Sequence, residues 1–413
     1  MLDLIAIIVS LTALLAWLNH QFIRLPTTIG VMAIALALSA GMHGLSWLGY
    51  SALEDYAESL LSQIDFNKLL MDGMLSFLLF AGALHVDLDR LKRYRWSIGF
   101  LATFGVVIST LAIGATAYYL LGLFGFAVPF MYCLVFGALI SPTDPIAVLG
   151  ILRQANAPAD LELRIVGESL FNDGVAVVVF TLLLGAATGS EALTFTHAGK
   201  LFLLEAGGGI ALGLVVGGVA YWLMRSIDEY RIEVLISLAV VLGGYALALE
   251  LHASGPIAMV VAGLLVGNKA RKSAMSDTTR QQLDAFWELV DEILNTLLFV
   301  LIGLEVLLIP FESELLWVSG GLIAILLVVR FSTIGVPIML LRRYLGFRKG
   351  AARILTWGGL RGGISVALAL AIPSGDERDI LLTVTYVIVL FSILVQGLTI
   401  GRVVSSLLDK PNK

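Results

Sequence analysis

The chain has 413 residues, of which 59% are hydrophobic and only 14% charged, and its mean hydropathy is +0.95. A soluble domain carries about 25% charged residues, so this composition excludes a water-soluble globular protein and defines an all-α polytopic membrane protein. The formal net charge of -5 decides little, because in a membrane protein the placement of Lys and Arg matters more than their sum, and nothing in it suggests nucleic acid.

A spanning helix needs about 20 predominantly apolar residues. On that scale thirteen candidate spans follow one another along a single membrane domain: 2–20, 26–43, 66–86, 97–121, 128–152, 162–187, 198–224, 231–251, 255–268, 284–308, 314–341, 350–373 and 379–404. The first, "MLDLIAIIVSLTALLAWLNH", has an acid and no basic residue before its apolar run and no small-residue cleavage site after it, so it reads as a retained helix rather than a signal peptide. Between spans 2 and 3, "YSALEDYAESLLSQI" has apolar residues at helical spacing with three acids, the pattern of a short amphipathic helix at the outer surface. Cys133, the one cysteine, sits in "FMYCLVFGAL" and reads as a packing residue. Span 9 is short and span 10 starts on acids, Glu288, Asp291 and Glu292.

With the N-terminus outside, the alternate loops that face the cytoplasm hold 21 of the 26 Lys and Arg, and the outer loops hold only Lys68, Lys200 and Arg378. This positive-inside bias sets both the odd number of spans and a cytoplasmic C-terminus. Arg330 and Arg361 are left inside the membrane or at its edge.

Two spans break the pattern of a plain helix. In span 5, "GALISPTDPIAVLG" brackets Thr143 and Asp144 with Pro142 and Pro145. Each proline removes an N–H and displaces an earlier carbonyl, and bare carbonyls at membrane depth persist only where they line a cavity or bind something. In span 12, "TWGGLRGGISVALALAIP" surrounds Arg361 with four glycines, which either loosen the helix or permit close packing. The two spans are seven apart and therefore run in opposite directions. Interrupted helices at matching places in two inverted six-helix repeats, spans 1–6 and 8–13 joined by span 7, point to a transporter's binding site.

Asp173, in "GESLFNDGVAVVVF", lies about eleven residues from the cytoplasmic end of span 6, roughly 16 Å into a core of about 30 Å. Asp144 lies at a similar depth in the antiparallel neighbour. Ser169 and Asp173 share one helix face, as do Glu168 and Asn172. Desolvation and a second carboxylate favour the protonated form of a buried acid, whereas a bound cation favours the charged form, so such a site holds either a proton or a cation. Carboxylate, hydroxyl and carbonyl oxygens suit hard cations, and Asp144, Asp173, Ser169, Thr143 and a freed carbonyl supply them. Glu168 fits better as the counter-charge of a buried arginine. Arg361, near the cytoplasmic start of span 12, is expected within reach of water or headgroups. His85, at the cytoplasmic end of span 3, reads as an interfacial histidine.

"SPTDP", "GESLFNDGVAVVVF", "LLFAGALHVDL" and "WGGLRGG" occur in that order and together resemble the NhaP-type sodium/proton antiporters, bacterial relatives of the eukaryotic sodium/proton exchangers. The resemblance implies a homodimer of thirteen-helix protomers in a bacterial inner membrane, with a dimerisation part over 2–86 and 231–308. It implies a moving core over 97–187 and 314–404, linked by 198–224. It also implies that Asp173 binds proton and cation, that Asp144, Thr143 and Ser169 complete a sodium shell, and that Asn172 is the neutral partner found in electroneutral one-for-one exchange. Glu168 is implied to pair with Arg330. Sodium is the expected cation, with lithium and potassium as further candidates, and no cofactor is expected. Several relatives carry a glutamate where this chain has Ala81. Two other readings use the same residues: an intramembrane aspartyl protease built on Asp144 and Asp173, which lacks the "GxGD" signature, and a cation channel, which lacks repeated pore rings.

Overall fold

A computed structural model of the chain describes residues 2–145, 148–149, 152, 159–189, 195–309, 312–345, 347 and 350–408. Among them no β-strand forms, and nine helices are long and apolar enough to cross a membrane. In chain order the elements begin with α1 (Leu2–Leu18), α2 (Thr27–Trp47), the amphipathic α3 (Ala52–Leu61), α4 (Phe66–Leu84) and α5 (Leu88–Leu123). They continue with α6 (Phe130–Ile140), α7 (Ala159–Ala187), α8 (Phe195–Arg225), α9 (Tyr230–Glu250), α10 (Gly255–Leu265) and α11 (Asp277–Glu305). The last are α12 (Ser313–Arg330), α13 (Ala351–Trp357), α14 (Gly363–Leu370) and α15 (Asp376–Phe391).

Several boundaries move relative to the hydropathy reading, each for a local reason. α5 starts nine residues before the expected 97 because Asp87 caps it, accepting from the N–H groups of Asp89 and Arg90; the basic run that follows is helical. α11 starts at Asp277, seven residues before the expected 284, where the Ser276 hydroxyl accepts from Thr279 N–H. The acids at 288, 291 and 292 therefore stand well inside a helix and not at its start. The short span 9 is lengthened by a π turn over Val266–Ala270 and the turn Arg271–Ser273. α12 also runs on, through the π turn Phe331–Gly335 into Val336–Leu345, and α15 through Ser392–Gly397 into Leu398–Leu408. In the expected second half of span 5, residues 146–147 and 150–151 lie outside the described residues, as does Arg153 in the loop that follows.

Buried apolar side chains gather in three main clusters. One lies among α4 and α8–α11, around Phe80, Met259 and Trp287. A second lies among α5, α6, α12, α14 and α15, around Phe136, Val318 and Leu368. The third joins α2 and the C-terminal half of α11 to the helix that continues α15. The outward faces of α1, α5, α8 and α9 stay rich in exposed apolar side chains, such as Trp17, Phe104, Trp222 and Leu235, the surface a bilayer covers at no cost. α8 and α10 approach closely: a Cβ on Gly213 would stand 2.5 Å from the Ala258 carbonyl oxygen.

Candidate cation-binding site

α6 stops at Ile140, and the two prolines keep residues 141–145 from continuing it. The opposing break falls at 358–362, between α13 and α14. The two unwound segments meet in one antiparallel backbone bridge, in which Asp144 N–H donates to the Leu360 carbonyl at 2.8 Å. This bond needs close passage of two backbones. A Cβ on Gly362 would collide with the Asp144 side chain, and one on Gly359 would stand 2.6 Å from Arg330 Nε. The glycines of span 12 thus serve both roles weighed from sequence: they interrupt the helix, and they leave space for the charged side chains that lie over them.

α7 packs alongside α6 and aims three polar residues, Ser169, Asn172 and Asp173, at the break. Asn172 clamps Thr143 from both sides, its Nδ2 donating to Thr143 Oγ1 at 2.9 Å and its Oδ1 accepting from Thr143 N–H at 3.4 Å. The Thr143 and Ser169 hydroxyls are 3.0 Å apart. Asp173 is buried beside them at 5% exposure, close enough to Asp144 for their charges to interact. Both carboxylates line a cavity of about 1000 Å³ that extends to Arg24, His85, Asp87 and Glu162. Those residues sit at or near the helix ends that the charge bias assigns to the cytoplasm.

Glu168, next to Ser169 on α7, lies 2.7 Å from Arg330 Nη1, and both side chains are buried. The approach is an ion pair by distance but not an aligned hydrogen bond, since Glu168 Oε1 and Arg330 Nε lack a hydrogen-bonding partner. Arg330 Nη2 reaches the Leu355 carbonyl at 3.4 Å.

Arg361 departs from expectation. It is 1% exposed and not near water, because the break at 358–362 lowers it into the crossing instead of leaving it on a helix end. Its Nη1 donates to the carbonyls of Pro142, at 3.2 Å, and Gly359, at 3.3 Å. A carbonyl bared by the helix break therefore has a cationic donor. Arg361→Ala is accordingly expected to be clearly destabilising and not mild: stranding the Pro142 carbonyl alone costs about 1–3 kcal/mol. Thermal unfolding of the detergent-solubilised variant checks this, and a wild-type melting curve would contradict it.

Sequence reasoning passed over Ser392 and Gln396. Ser392 Oγ accepts from Arg361 N–H at 2.8 Å, and Gln396 Nε2 donates to the Trp357 carbonyl at 3.0 Å. They satisfy backbone groups on either side of the break. The available signal was two polar residues four apart in "FSILVQG", within an otherwise oily span. Ala81 is fully buried in α4 and brings no acid to the site.

Two helices broken at one level, crossing through their unwound backbones beside buried carboxylates at the end of a cavity, define a helical membrane transporter that acts on small ions. Comparison with known proteins gives the same class. Residues 8–406 match the family described as sodium/hydrogen exchanger, transmembrane. The chain is 56% identical to the Na(+)/H(+) antiporter NhaP of Pseudomonas aeruginosa over 98% of this chain and 96% of that one. It is 36% identical to the Na(+)/H(+) antiporter NhaH of Halobacillus aidingensis over 91% of each chain. The fold is similar to that of the sodium proton antiporter MjNhaP1 from Methanocaldococcus jannaschii at pH 8, with a TM-score of 0.72 and 19% identity over 98% of both chains. The chain belongs to the sodium/hydrogen exchanger family, a family of transporters and not of enzymes. Neither the protease nor the channel reading is favoured by these relatives.

Proposed function

We propose that the chain exchanges sodium for protons one for one, by alternating access of a site in which proton and cation compete for Asp173. The observation that carries this reading is the meeting of Asp173 and Asp144 at one end of a single cavity, beside the crossed helix breaks. Asp144, Thr143 and Ser169 supply oxygen ligands of the kind hard cations take. Glu168 and Arg330 hold α7 against α12 and stay out of the exchange. The test is cation-induced proton movement in proteoliposomes, with sodium, lithium and potassium compared side by side; sodium failing to move protons would remove the proposal.

Charge balance follows from the neighbour of Asp173. Asn172 is neutral and occupied in holding Thr143, so one acid alternates between one proton and one sodium ion. Exchange is therefore expected to proceed at the same rate whether or not a membrane potential is imposed. A rate that tracks a potassium-valinomycin potential would require a second charge per cycle.

The protomer is read as part of a homodimer in a bacterial inner membrane, N-terminus outside and C-terminus cytoplasmic. Residues 2–86 and 231–308 form the dimerisation part, 97–187 and 314–404 the moving core of two inverted repeats, and 198–224 the link. The apolar cluster around Phe136 lies within the core part, while the cluster around Phe299 joins α2 and α11 of the dimerisation part to the helix that continues α15. The site lies where the two bodies meet, since α11 and α14 both line the cavity.

A further inference from the structure

α8 ends on a cluster of side chains that the exchange reading leaves unused. Arg225, its last residue, and Lys269, in the π turn Val266–Ala270 that follows α10, both stand beside the Tyr221 side chain. Lys269 Nζ is 4.8 Å from the ring centroid, within cation–π range, and Arg225 is close enough to act on the Tyr221 hydroxyl. Ser273 completes the group: its Oγ is 3.4 Å from the Tyr221 hydroxyl and donates to the Lys269 carbonyl at 2.8 Å. A serine hydroxyl has one proton to give. With that proton on the Lys269 carbonyl, the long approach to Tyr221 leaves the phenol O–H free to donate to a closer acceptor. Arg225, Lys269 and Ser273 are exposed and Tyr221 is half-buried, on the side that the charge bias assigns to the cytoplasm.

Exposed cations are ordinary at a cytoplasmic rim, and the placement of the acids sets these two apart. Close by in the chain, Arg271 pairs with Asp284 at 2.6 Å, Lys272 pairs with Asp89, and Arg280 pairs with Asp277. Of the acids that follow α8, Asp228 accepts from Thr279 Oγ1 at 3.1 Å and Glu229 lies near Arg231. Among the described residues no ion pair involves Arg225 or Lys269. Two cations gathered at one ring repel each other, and an anion between them turns that repulsion into attraction.

The cluster also stands where a bilayer brings its headgroups. One turn before Arg225, Trp222 is 69% exposed. Gly218, where an added Cβ would meet nothing within 4 Å, leaves a notch between Trp222 and the exposed Leu214, which lie four residues to either side on the same face. A lipid chain lying in that notch carries its phosphate to the end of α8. A zwitterionic lipid would add an ammonium group that the same two cations repel, whereas an acidic lipid would not.

We infer that Tyr221, Arg225, Lys269 and Ser273 form a binding site for the headgroup phosphate of an anionic phospholipid in the cytoplasmic leaflet, with its chain along α8 at Gly218. Basic pockets between spanning helices on this side of a membrane suit such headgroups. None of the four residues lines the cavity that holds Asp173, so the site goes beyond the exchange reading and does not depend on it. A bound headgroup bridges the end of α8 to the turn after α10 and holds the two together.

The experiment titrates delipidated, full-length protein with phosphatidylglycerol or with phosphatidylcholine of the same chains. Native mass spectrometry reads the bound lipid, and size-exclusion checks the folding of each variant. Wild-type protein is expected to bind phosphatidylglycerol in preference and to unfold at a higher temperature with it. Arg225→Gln with Lys269→Gln is expected to lose at least about tenfold in phosphatidylglycerol affinity, the weight of two cations beside an acidic lipid. Both side chains are exposed, so the core packing of that variant is unchanged. Tyr221→Phe, which keeps the ring and loses only the O–H, is expected to fall between it and wild type. Lys92→Gln with Lys272→Gln takes the same charge from the cytoplasmic face, at the two lysines that flank Asp89, and is expected to bind as wild type does. Equal losses in the two double variants would reduce the site to general surface charge and overturn it, as would equal binding of the two lipids. Stabilisation to the same degree by inorganic phosphate would make the ligand a soluble anion and overturn the lipid assignment. Binding is read without transport, so a failure of sodium to move protons would count against the exchange reading alone.

Discussion

Asp173→Asn is expected to abolish sodium-driven proton movement while leaving a folded protein. The amide has nearly the shape of the acid and keeps one oxygen, so α7 and its packing against α6 have no reason to change. What it lacks is a proton that can leave. An exchanger of one ion against one proton needs a group whose charge appears when the proton departs and is then neutralised by the cation; a fixed neutral amide stops both half-cycles. In the wild-type protein, the same competition requires the apparent KM for sodium to rise with acidity. Where the acid is mostly protonated, each pH unit downward demands about tenfold more sodium, the proton linkage of a single site. Dequenching of a pH-sensitive dye in proteoliposomes reads both effects. Full exchange by Asp173→Asn, or a KM indifferent to pH, would move the site elsewhere.

The sequence carried the helices that face lipid, because apolar composition alone determines which segments leave water. It was least informative where charge and hydropathy compete. The basic start of α5 and the acidic first half of α11 are helical in spite of their composition, since capping by Asp87 and Ser276 is a local hydrogen-bonding event that a hydropathy window averages away. The candidate site was legible as residue types. Prolines 142 and 145, the glycines of span 12 and the acids at 144 and 173 each violate the pattern of a spanning helix. Contacts between distant segments were not legible. The bridge from Asp144 to Leu360 and the hold of Arg361 on Pro142 join residues more than two hundred positions apart, and nothing local announces them. Arg361 shows the cost: counting residues from a loop put it near water, whereas the broken helix buries it. Asn172 shows a different limit, because spacing grouped it with Glu168, while the structure engages it with Thr143 on the unwound strand.

Arg330→Ala and Glu168→Ala are each expected to lower thermal stability sharply, and the pair of changes Glu168→Leu with Arg330→Met is expected to recover part of the loss. The two groups stand 2.7 Å apart in the protein interior. Breaking such a pair by removing one partner costs about 3–5 kcal/mol, because the survivor is left charged and dry, while replacing both by apolar residues of similar size can be nearly neutral. The two single changes are not equivalent. Arg361 lies close enough to feel Arg330, Glu168 and Asp173, so Glu168 sits among two buried arginines. Its removal leaves two cations facing one another, whereas removal of Arg330 leaves Glu168 with Arg361 still nearby. Glu168→Ala is therefore expected to be the more damaging of the two. In the double variant Arg361 keeps Asp173 and the Pro142 carbonyl, so the core loses one cation and one anion together and retains a balanced remainder. Thermal unfolding in detergent, followed by a buried-tryptophan or thiol probe, gives the order. A harmless Arg330→Ala beside an Arg361→Ala that fails to fold would make Arg361 the working partner of Glu168 and reverse the assignment.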